Sequence, residues 1–287
     1  MTFKTIRNID VPDLGLGTFE LTGEQAVQTI GDAIEIGYRH IDTASKYGNE
    51  SDVGEGLRRT GLPRNEVFLT TKVWITDCHP DAIVTNVEKS LTALKVDQVD
   101  LLLLHWPSPH MSIKTSIEGL VVSLEAGQAK NIGVSNFPPK LLREALNYAE
   151  LFCNQVEFHP YLNQREVLEI AEEHDMLLTG YAPLAIGRVA TDDALIAIGK
   201  RHGKSPAQVC LRWILDHERV AAVPKTRSRH RLEENFTIRD FSLTEEESQA
   251  IDQLARGLRI YDEEWVADWG DDSRDHGPPL RTVTLPS

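Results

Sequence analysis

The stretch VDLLLLHW, residues 99–106, contains four consecutive leucines and then ends in His105 and Trp106. A short run that is apolar at successive positions is typical of a parallel β-strand covered on both faces. A histidine directly after such a run would lie at the carboxyl end of the strand. The stretch therefore predicts an α/β fold with polar groups at one edge of its sheet.

Seven other stretches have the same strand-like character and alternate with helical patterns. They are LGLGTF (14–19), YRHIDT (38–43), VFLTTKV (67–73), NIGVSNF (131–137), CNQVEFH (153–159), LLTGYAP (177–183) and VAAVPKT (220–226). Eight strands alternating with helices predict a (β/α)8 TIM barrel. The alternative is an open, doubly wound sheet, but GLGTF lacks the third glycine of the GxGxxG fingerprint that often accompanies that fold.

Helix boundaries are marked by capping residues. Gly37 is expected to end one helix, and Pro80 or Asp81 to begin another. Ser205 is expected to cap a helix that starts at Pro206, and Thr244 with Glu247 forms a capping-box pattern.

No linker rich in Gly, Ser or Pro divides the 287 residues, so we expect a single domain over 1–287. The segment FKTIRNIDVP before the first barrel strand is expected to form a hairpin that closes the bottom of the barrel. Residues 257–287 are acidic and aromatic, and we expect them to form a loop or tail outside it.

Composition excludes several classes of partner. The chain has 44 acidic and 30 basic residues and a formal net charge of −14, which argues against nucleic acid and anionic membrane surfaces. Its apolar runs are far shorter than the roughly 20 residues of a membrane span. Three scattered cysteines and an N-terminus without a secretory pattern favour the cytoplasm.

Polar residues fall at the carboxyl ends of most of the expected strands. These are Asp42, Lys72, His105, Ser135, Asn136, Gln155, Glu157, Tyr181 and Lys225. In a parallel barrel these ends share one face, where such enzymes perform their chemistry. Taken singly, each residue could equally cap a helix, face solvent or pack in the core.

Six motifs make the chain resemble an aldo-keto reductase. They are GYRHIDTASKYGNE (37–50), TTKVW (70–74), LLLLHWP (101–107), IGVSNF (132–137), NQVEFHPY (154–161) and VPKTRSRHRLEEN (223–235). Within that family the chain resembles the short bacterial branch of 2,5-diketo-D-gluconate reductases and aldehyde reductases. The resemblance implies a TIM barrel, NADPH as hydride donor, no metal and a monomer.

The resemblance also implies a catalytic tetrad of Asp42, Tyr47, Lys72 and His105. Tyr47 would be the proton donor, although a phenol has a reference pKa of about 10. The ammonium of Lys72 would lower that pKa, and Asp42 would keep the lysine charged. His105 would bind the carbonyl oxygen and orient it.

Cofactor positions carry over in the same way. The set implied by the resemblance is Gly17, Thr18, Asp42, Ser135, Asn136, Gln155, Tyr181, Pro183, Leu184, Lys225, Thr226, Arg231, Glu234 and Asn235. In this set Tyr181 would stack on the nicotinamide, and Lys225 with Arg231 would bind the adenosine 2′-phosphate. Arg227, Arg229 and His230 extend a basic cluster that favours NADPH over NADH.

The substrate pocket is expected to be lined by Phe19, Trp74 and Trp106, with Trp265 or Trp269 of the tail as further candidates. The stretch YAPLAIG departs from the family pattern YSPLG because Ala182 and Ala185 replace a serine and a glycine. This change is expected to alter how the loop closes on the cofactor.

The leading hypothesis is NADPH-dependent reduction of small carbonyls or keto-sugar acids, such as methylglyoxal or 2,5-diketo-D-gluconate. One alternative is a cofactor-binding redox sensor or scaffold with the same fold, as in the potassium-channel β subunits. A second is a phosphate-binding barrel lyase or isomerase without a redox cofactor.

Overall fold

The computed structural model describes residues 2–162, 164–262 and 267–269, and it contains two sheets. Strands β1 (Phe3–Ile6) and β2 (Ile9–Pro12) form an antiparallel hairpin. The larger sheet has eight strands: β3 (Leu16–Gly17), β4 (His40–Asp42), β5 (Phe68–Val73), β6 (Val99–Leu104), β7 (Ala129–Ser135), β8 (Cys153–Glu157), β9 (Leu177–Tyr181) and β10 (Val220–Ala222).

Strand order in the larger sheet follows the chain from β3 to β10, and each neighbouring pair is parallel. At the outer strands, Leu14 makes a parallel bridge to Ala222, and the Gly15 amide donates to the Ala222 carbonyl at 2.8 Å. The order never reverses direction, as it does in a doubly wound sheet. The alternative of a doubly wound fold is therefore wrong, and the arrangement is consistent with a (β/α)8 barrel.

Helices separate the parallel strands as expected. The α-helices are α1 (Gly23–Ile36), α2 (Glu50–Thr60), α3 (Pro80–Leu94), α4 (Ile113–Glu125), α5 (Pro139–Ala145), α6 (Arg165–Glu173), α7 (Asp193–His202), α8 (Pro206–Asp216), α9 (Arg229–Phe236) and α10 (Glu245–Asp252). The capping predictions are confirmed, because Gly37 ends α1 and both Ser205 and Thr244 form capping boxes.

Strand β6 explains how the sheet is covered on both faces. Leu101 and Leu103 belong to one buried cluster, which also holds Ile6 and Val11 of the hairpin. The alternate residues Leu102 and Leu104 belong to the larger cluster that includes the helices. This alternation follows from the two-residue period of a strand, and it places the leucine run between two apolar layers.

Several strands are shorter than the sequence predicts. β3 covers two residues of the expected 14–19, and β10 covers three of the expected 220–226. In both places the chain leaves the ladder early. The residues that follow, including Thr18 and Lys225, therefore lie in loops at the carboxyl ends of the strands.

The three cysteines, Cys78, Cys153 and Cys210, are free and buried. Burial raises the pKa of the Cys78 thiol to about 11 and that of Cys153 to about 12, and it also raises the pKa of Cys210. Among the described residues no helix is long and apolar enough to cross a membrane. Most of the expected tail over 257–287, including Trp265, lies outside the described residues.

Candidate active site

Polar side chains predicted from the strand ends lie together at the carboxyl edge of the sheet. Asp42 is the last residue of β4, Lys72 the penultimate residue of β5, and His105 directly follows β6. Ser135 ends β7 and Tyr181 ends β9. Because the strands are parallel, these ends open on one face.

Lys72 is the centre of the site. Its Nζ donates to Asp42 Oδ1 at 2.7 Å and to the Thr43 carbonyl at 2.9 Å, and it lies 3.4 Å from the Tyr47 hydroxyl. The side chains of Lys72 and Asp42 are 0% and 4% exposed. Burial lowers the pKa of Lys72, but the Asp42 carboxylate, together with the contact to Tyr47, outweighs it, and the pKa is raised overall. Lys72 is therefore a buried ammonium.

Tyr47 lies in a short 3-10 helix, Ser45–Tyr47, that follows β4. Burial raises its pKa, and Lys72 acts in the opposite direction, as the sequence predicts. The net pKa lies above the usual value, although Lys72 lowers it as expected. The reason is that loss of hydration disfavours the phenolate more than one ammonium at 3.4 Å favours it. Tyr47 is a neutral phenol that can donate a proton.

Asp42 is fixed through both of its carboxylate oxygens. Oδ1 accepts from Lys72, and Oδ2 accepts from Gln155 Nε2 at 2.7 Å. The Gln155 amide group is thus bonded to Asp42, and its backbone carbonyl accepts from Ser135 Oγ at 2.8 Å. Side chains from two other strands, β5 and β8, thus hold the buried carboxylate of β4 in a single orientation.

His105 faces Tyr47 and Trp74. Its ring centroid lies 5.5 Å from that of Tyr47 and 5.2 Å from that of Trp74. Burial, followed by the charges of Lys72 and Lys46, holds the pKa of His105 well below its usual value. Within the described residues its Nδ1 is buried without a hydrogen-bond partner. The ring is a neutral imidazole that can donate one hydrogen bond.

A second group of polar side chains surrounds Asn136. Its amide donates to the His105 carbonyl at 3.0 Å and to Ser135 Oγ at 3.1 Å, while its Oδ1 accepts from the Tyr181 hydroxyl at 2.7 Å. Asn136 has a φ of 62°, a left-handed conformation that asparagine adopts more readily than most residues. The bonds fix the Tyr181 ring beside the tetrad residues.

Gly17 and Thr18 lie at the start of the loop after β3. A Cβ on Gly17 would lie 2.7 Å from the Val223 carbonyl oxygen, so only glycine fits there. Thr18 is buried, and its Oγ1 has no hydrogen-bond partner within the described residues. An unpaired buried hydroxyl beside the tetrad suits a ligand with polar groups.

The expected phosphate-binding residues lie in the loop after β10 and in α9. Lys225 pairs with Glu20 at 2.8 Å, and Thr226 is buried. Arg231 is exposed, and Asn235 is buried in α9 beside Glu234. The structure brings these residues to one loop and one helix, next to the loop after β3.

Part of the basic cluster is committed elsewhere. Arg229 pairs with Asp32 at 3.0 Å and with Glu35 at 2.8 Å, both in α1. Arg227 donates to the Glu20 carbonyl at 2.9 Å. The cluster is thus partly neutralised by acidic neighbours, which are distant in sequence and could not be predicted from the motif.

Two of the expected pocket residues flank the tetrad. Phe19 is 45% exposed, and its ring centroid lies 5.1 Å from that of Tyr47, whereas Trp74 contacts His105. Trp106 follows His105 and is buried. Trp269 packs under the guanidinium of Arg259 at 3.8 Å.

The loop after β9 contains the two other cofactor candidates. The Pro183 carbonyl accepts from Cys210 Sγ at 3.2 Å, and Leu184 packs against the main core. Ala182 and Ala185, the departures from the family pattern, both have a φ of 47°. The chain thus makes left-handed turns here with alanine.

Two residues near the site were missed by the sequence reasoning. The Nζ of Lys46 lies 4.9 Å from the Trp74 ring centroid, and the ring of Tyr261 lies 5.6 Å from that of Tyr181. Lys46 adjoins Tyr47 and could have been considered. Tyr261 lies in the expected tail and had no local signal. In the parts of the chain that the structure describes, no cluster of His, Cys, Asp or Glu could hold a metal.

Comparisons with known proteins agree on one family. The model of the aldo/keto reductase family matches residues 13–256. A 9,11-endoperoxide prostaglandin H2 reductase of Trypanosoma cruzi is 40% identical, with 89% of this chain and 92% of the relative covered. A glyoxal reductase of Bacillus subtilis is 39% identical, with 90% and 94% covered.

Solved structures match over similar lengths. A putative 2,5-diketo-D-gluconic acid reductase B has a TM-score of 0.91 and 42% identity, with 94% of this chain and 98% of that chain covered. An aldo-keto reductase of Bombyx mori in complex with NADP has a TM-score of 0.83 and 29% identity, with 90% and 94% covered.

Proposed function

The chain belongs to the aldo/keto reductase family, and from this premise we propose that it reduces aldehydes and ketones to alcohols with NADPH. The observation that carries the proposal is the buried ammonium of Lys72, which contacts both the Asp42 carboxylate and the Tyr47 hydroxyl. Such a lysine is costly to bury and needs its partner. It lies where it can stabilise a phenolate.

The proton comes from Tyr47 in this mechanism. The neutral His105 donates a hydrogen bond to the substrate carbonyl oxygen and orients it next to the Tyr47 hydroxyl. As negative charge develops on that oxygen, Tyr47 transfers its proton, and Lys72 stabilises the resulting phenolate. Asp42 keeps Lys72 charged throughout.

NADPH, when bound, supplies the hydride that reduces the carbonyl carbon. The residues that would hold it are the group around Asn136, the unpaired hydroxyl of Thr18, and the loop after β10. The Tyr181 ring is fixed by its bond to Asn136 and is suited to stack on a flat heterocycle. The basic side chains of Lys225 and Arg231 suit a phosphate monoester.

Small carbonyls and keto-sugar acids are the proposed substrates. Phe19 and Trp74 provide apolar walls beside Tyr47 and His105, and the cationic Lys46 next to Trp74 favours an oxygen-rich or anionic substrate. The relatives named for glyoxal and diketogluconate reduction support this choice.

We also infer that the chain forms one closed barrel domain with β1 and β2 as its floor. The bridge between Leu14 and Ala222 supports closure of the sheet. Ile6 and Val11 pack with inward residues of the parallel strands, which supports the hairpin as the cover of that end.

The proposal is tested by Tyr47→Phe. We expect normal NADPH binding but a loss of about 10²–10⁴-fold in kcat, because the ring is kept and the proton donor removed. Turnover of methylglyoxal, 4-nitrobenzaldehyde and 2,5-diketo-D-gluconate is measured by NADPH oxidation, and binding by quenching of tryptophan fluorescence. Tyr148→Phe, at an exposed tyrosine, is the matched control and should remain active.

Near-normal turnover in Tyr47→Phe would contradict the role of Tyr47. Tight NADPH binding by the wild-type protein without turnover of any carbonyl would instead favour a redox sensor.

A further inference from the structure

Glu157, the last residue of β8, has a completely buried carboxylate that the proposed mechanism does not use. Oε1 accepts from the Ile260 amide at 2.8 Å, and Oε2 accepts from the Tyr261 amide at 3.0 Å. Oε1 also lies 2.8 Å from His159 Nε2. Both oxygens of a buried acid are therefore hydrogen-bonded. Two of the three contacts come from a segment about a hundred residues away in sequence.

His159 has a defined role in this group. Its Nδ1 faces the amide of Tyr161 at 3.3 Å, and an amide can only donate. Nδ1 therefore accepts, and the ring proton lies on Nε2, which donates to Glu157. The neutral imidazole thus fixes the same carboxylate oxygen that accepts from the Ile260 amide.

The same segment is attached at a second place. The amides of Arg256 and Leu258 both donate to the Tyr161 carbonyl, at 3.1 and 3.0 Å. The Arg256 guanidinium lies 4.7 Å from the Tyr161 ring centroid. Four amides within residues 256–261 are thus bonded to acceptors within residues 157–161, at the edge of the sheet where the tetrad lies.

This attachment determines the position of the Tyr261 ring. Glu157 pairs with Tyr181 in the register of β8 and β9, so it lies beside the tyrosine whose hydroxyl donates to Asn136. The Tyr261 and Tyr181 rings meet edge to face, at 5.6 Å and 70°. Burial, with the charge of the Glu157 carboxylate adding to it, raises the pKa of Tyr261.

We propose that Glu157 is a positioning residue that holds Tyr261 against Tyr181 as one wall of the active-site cleft, and that Tyr261 thereby selects among carbonyl substrates. The inference rests on the proposed reductase function. If the Glu157 carboxylate only attached the C-terminal segment to the surface, its loss would lower the stability of the fold and leave the KM values unchanged. A carboxylate that acts through Tyr261 influences the KM for substrates large enough to reach that ring.

A double-mutant cycle separates the two roles. In Tyr261→Ala, with NADPH saturating, we expect the KM for 4-nitrobenzaldehyde to rise about tenfold with kcat within about threefold, since an aromatic contact is lost. Tyr261→Phe keeps the ring and should change KM less than about twofold. Methylglyoxal is smaller than the aryl aldehyde and has no ring to contact Tyr261, so its KM should change less.

Glu157→Gln should also raise the KM for 4-nitrobenzaldehyde. The two carboxylate oxygens each accept from one backbone amide, whereas the glutamine side chain has only one oxygen and places an NH2 group at the other position. The double variant should be no worse than Tyr261→Ala alone. Glu247→Gln is the matched control, a buried acid that pairs with Arg201 and His202. It should lower thermal stability and leave the ratio of the two KM values unchanged.

Hydrogen exchange gives a readout that does not depend on turnover or on the folding of a variant. In the wild-type protein the amides of Ile260 and Tyr261 should exchange more slowly than that of the exposed Asp262. Rapid exchange of both would overturn the attachment to Glu157.

The remaining outcomes are distinct from one another. Wild-type turnover with an unchanged KM in Tyr261→Ala, or additive effects in the double variant, would overturn this inference and leave the reductase function intact. No turnover by the wild-type protein would overturn the reductase function and, with it, substrate selection by Tyr261.

Discussion

His105 illustrates how one residue depends on its surroundings. It is buried between Tyr47 and Trp74, with Lys72 and Lys46 nearby, and these keep its pKa well below the usual 6.5. A histidine with a lowered pKa stays neutral as the pH falls through the ordinary range. In that form it can donate to a carbonyl oxygen without placing a second cation beside Lys72.

We expect kcat/KM for carbonyl reduction to stay level between about pH 6 and 8, because neither His105 nor Tyr47 changes charge there. Initial rates in overlapping buffers, corrected for decay of NADPH in acid, measure this. Lys46→Met removes one of the cations that lower the pKa of His105, so that pKa should rise. Any loss of activity in acid should then begin at a higher pH. A decline near pH 6.5 in the wild-type protein would contradict the neutral form of His105.

The positions of Asp42, Lys72 and His105 could be predicted because each lies at, or directly after, the end of a strand. Tyr47 lies in the helical turn after β4, and only the family resemblance implied it. The direction of the Tyr47 pKa could not, since it depends on burial by residues distant in sequence. The hydrogen bond from Lys72 to the Thr43 carbonyl could not be predicted either, because a backbone acceptor is present at every residue and carries no sequence signal.

At the level of elements, the loop after β9 contains strained backbone. Ala182 and Ala185 have a φ of 47°, and Ile186 has a φ of 52° with a side chain that is 61% exposed. A β-branched residue in the left-handed region costs about 1–3 kcal/mol. Little burial offsets that cost at Ile186.

Ile186→Gly should raise the free energy of unfolding by about 0.5–1 kcal/mol, because relief of strain exceeds the added entropy of the unfolded chain. Urea denaturation measures the change. Ile186→Val, which keeps the branched side chain, should leave stability near the wild-type value. A less stable glycine variant would show that the strain is absent or that the side chain packs.

The loop after β10 combines phosphate-binding candidates with an acidic neighbour. Lys225 pairs with Glu20 of the loop after β3, and Arg231 lies exposed in α9. The motif VPKTRSRHRLEEN indicated the basic residues, but Glu20 comes from the other end of the sheet. That pair joins the loops after the two outer strands, which are also linked by the bridge between Leu14 and Ala222.

Lys225→Ala and Arg231→Ala should each raise the Kd for NADPH about tenfold and the Kd for NADH less than about twofold, since only NADPH carries the 2′-phosphate. Fluorescence titration with both cofactors measures this. Lys114→Ala, in the exposed pair with Glu118, is the control and should change neither affinity. Equal losses for both cofactors would contradict a phosphate-binding role.

Across the whole molecule, buried histidines make stability depend on pH. The pKa values of His40 and His105 are both lowered, first by burial. Below a pH of about 6.5, the usual histidine pKa, these two rings take up protons in the unfolded chain but not in the folded protein. Acid therefore favours the unfolded chain, and the free energy of unfolding is retained above that pH and falls below it.

We expect the free energy of unfolding to fall by about 1–3 kcal/mol between about pH 7.5 and 5.5. Urea denaturation at the two pH values gives the difference. His40→Asn, which can still donate to the Pro12 carbonyl, should lose less stability over the same interval. Equal losses in the variant and the wild type would exclude His40 as a contributor.

The overall topology was predictable because the alternation of strands and helices is a property of the entire chain. The attachment of Tyr261 to Glu157 was not, since it joins a buried strand end to a segment whose composition resembles a tail. Sequence patterns report periodicity and local capping. They do not report which distant backbone amides a buried acid will accept.

The thiols inside the core have a further meaning under the proposed reduction of reactive carbonyls. Thiolates add to the carbonyl carbon of dicarbonyl compounds, and the protonated, enclosed thiols of Cys78, Cys153 and Cys210 provide very little thiolate for that addition. A reductase that acts on such carbonyls, as proposed above, would therefore form few cysteine adducts within its own core.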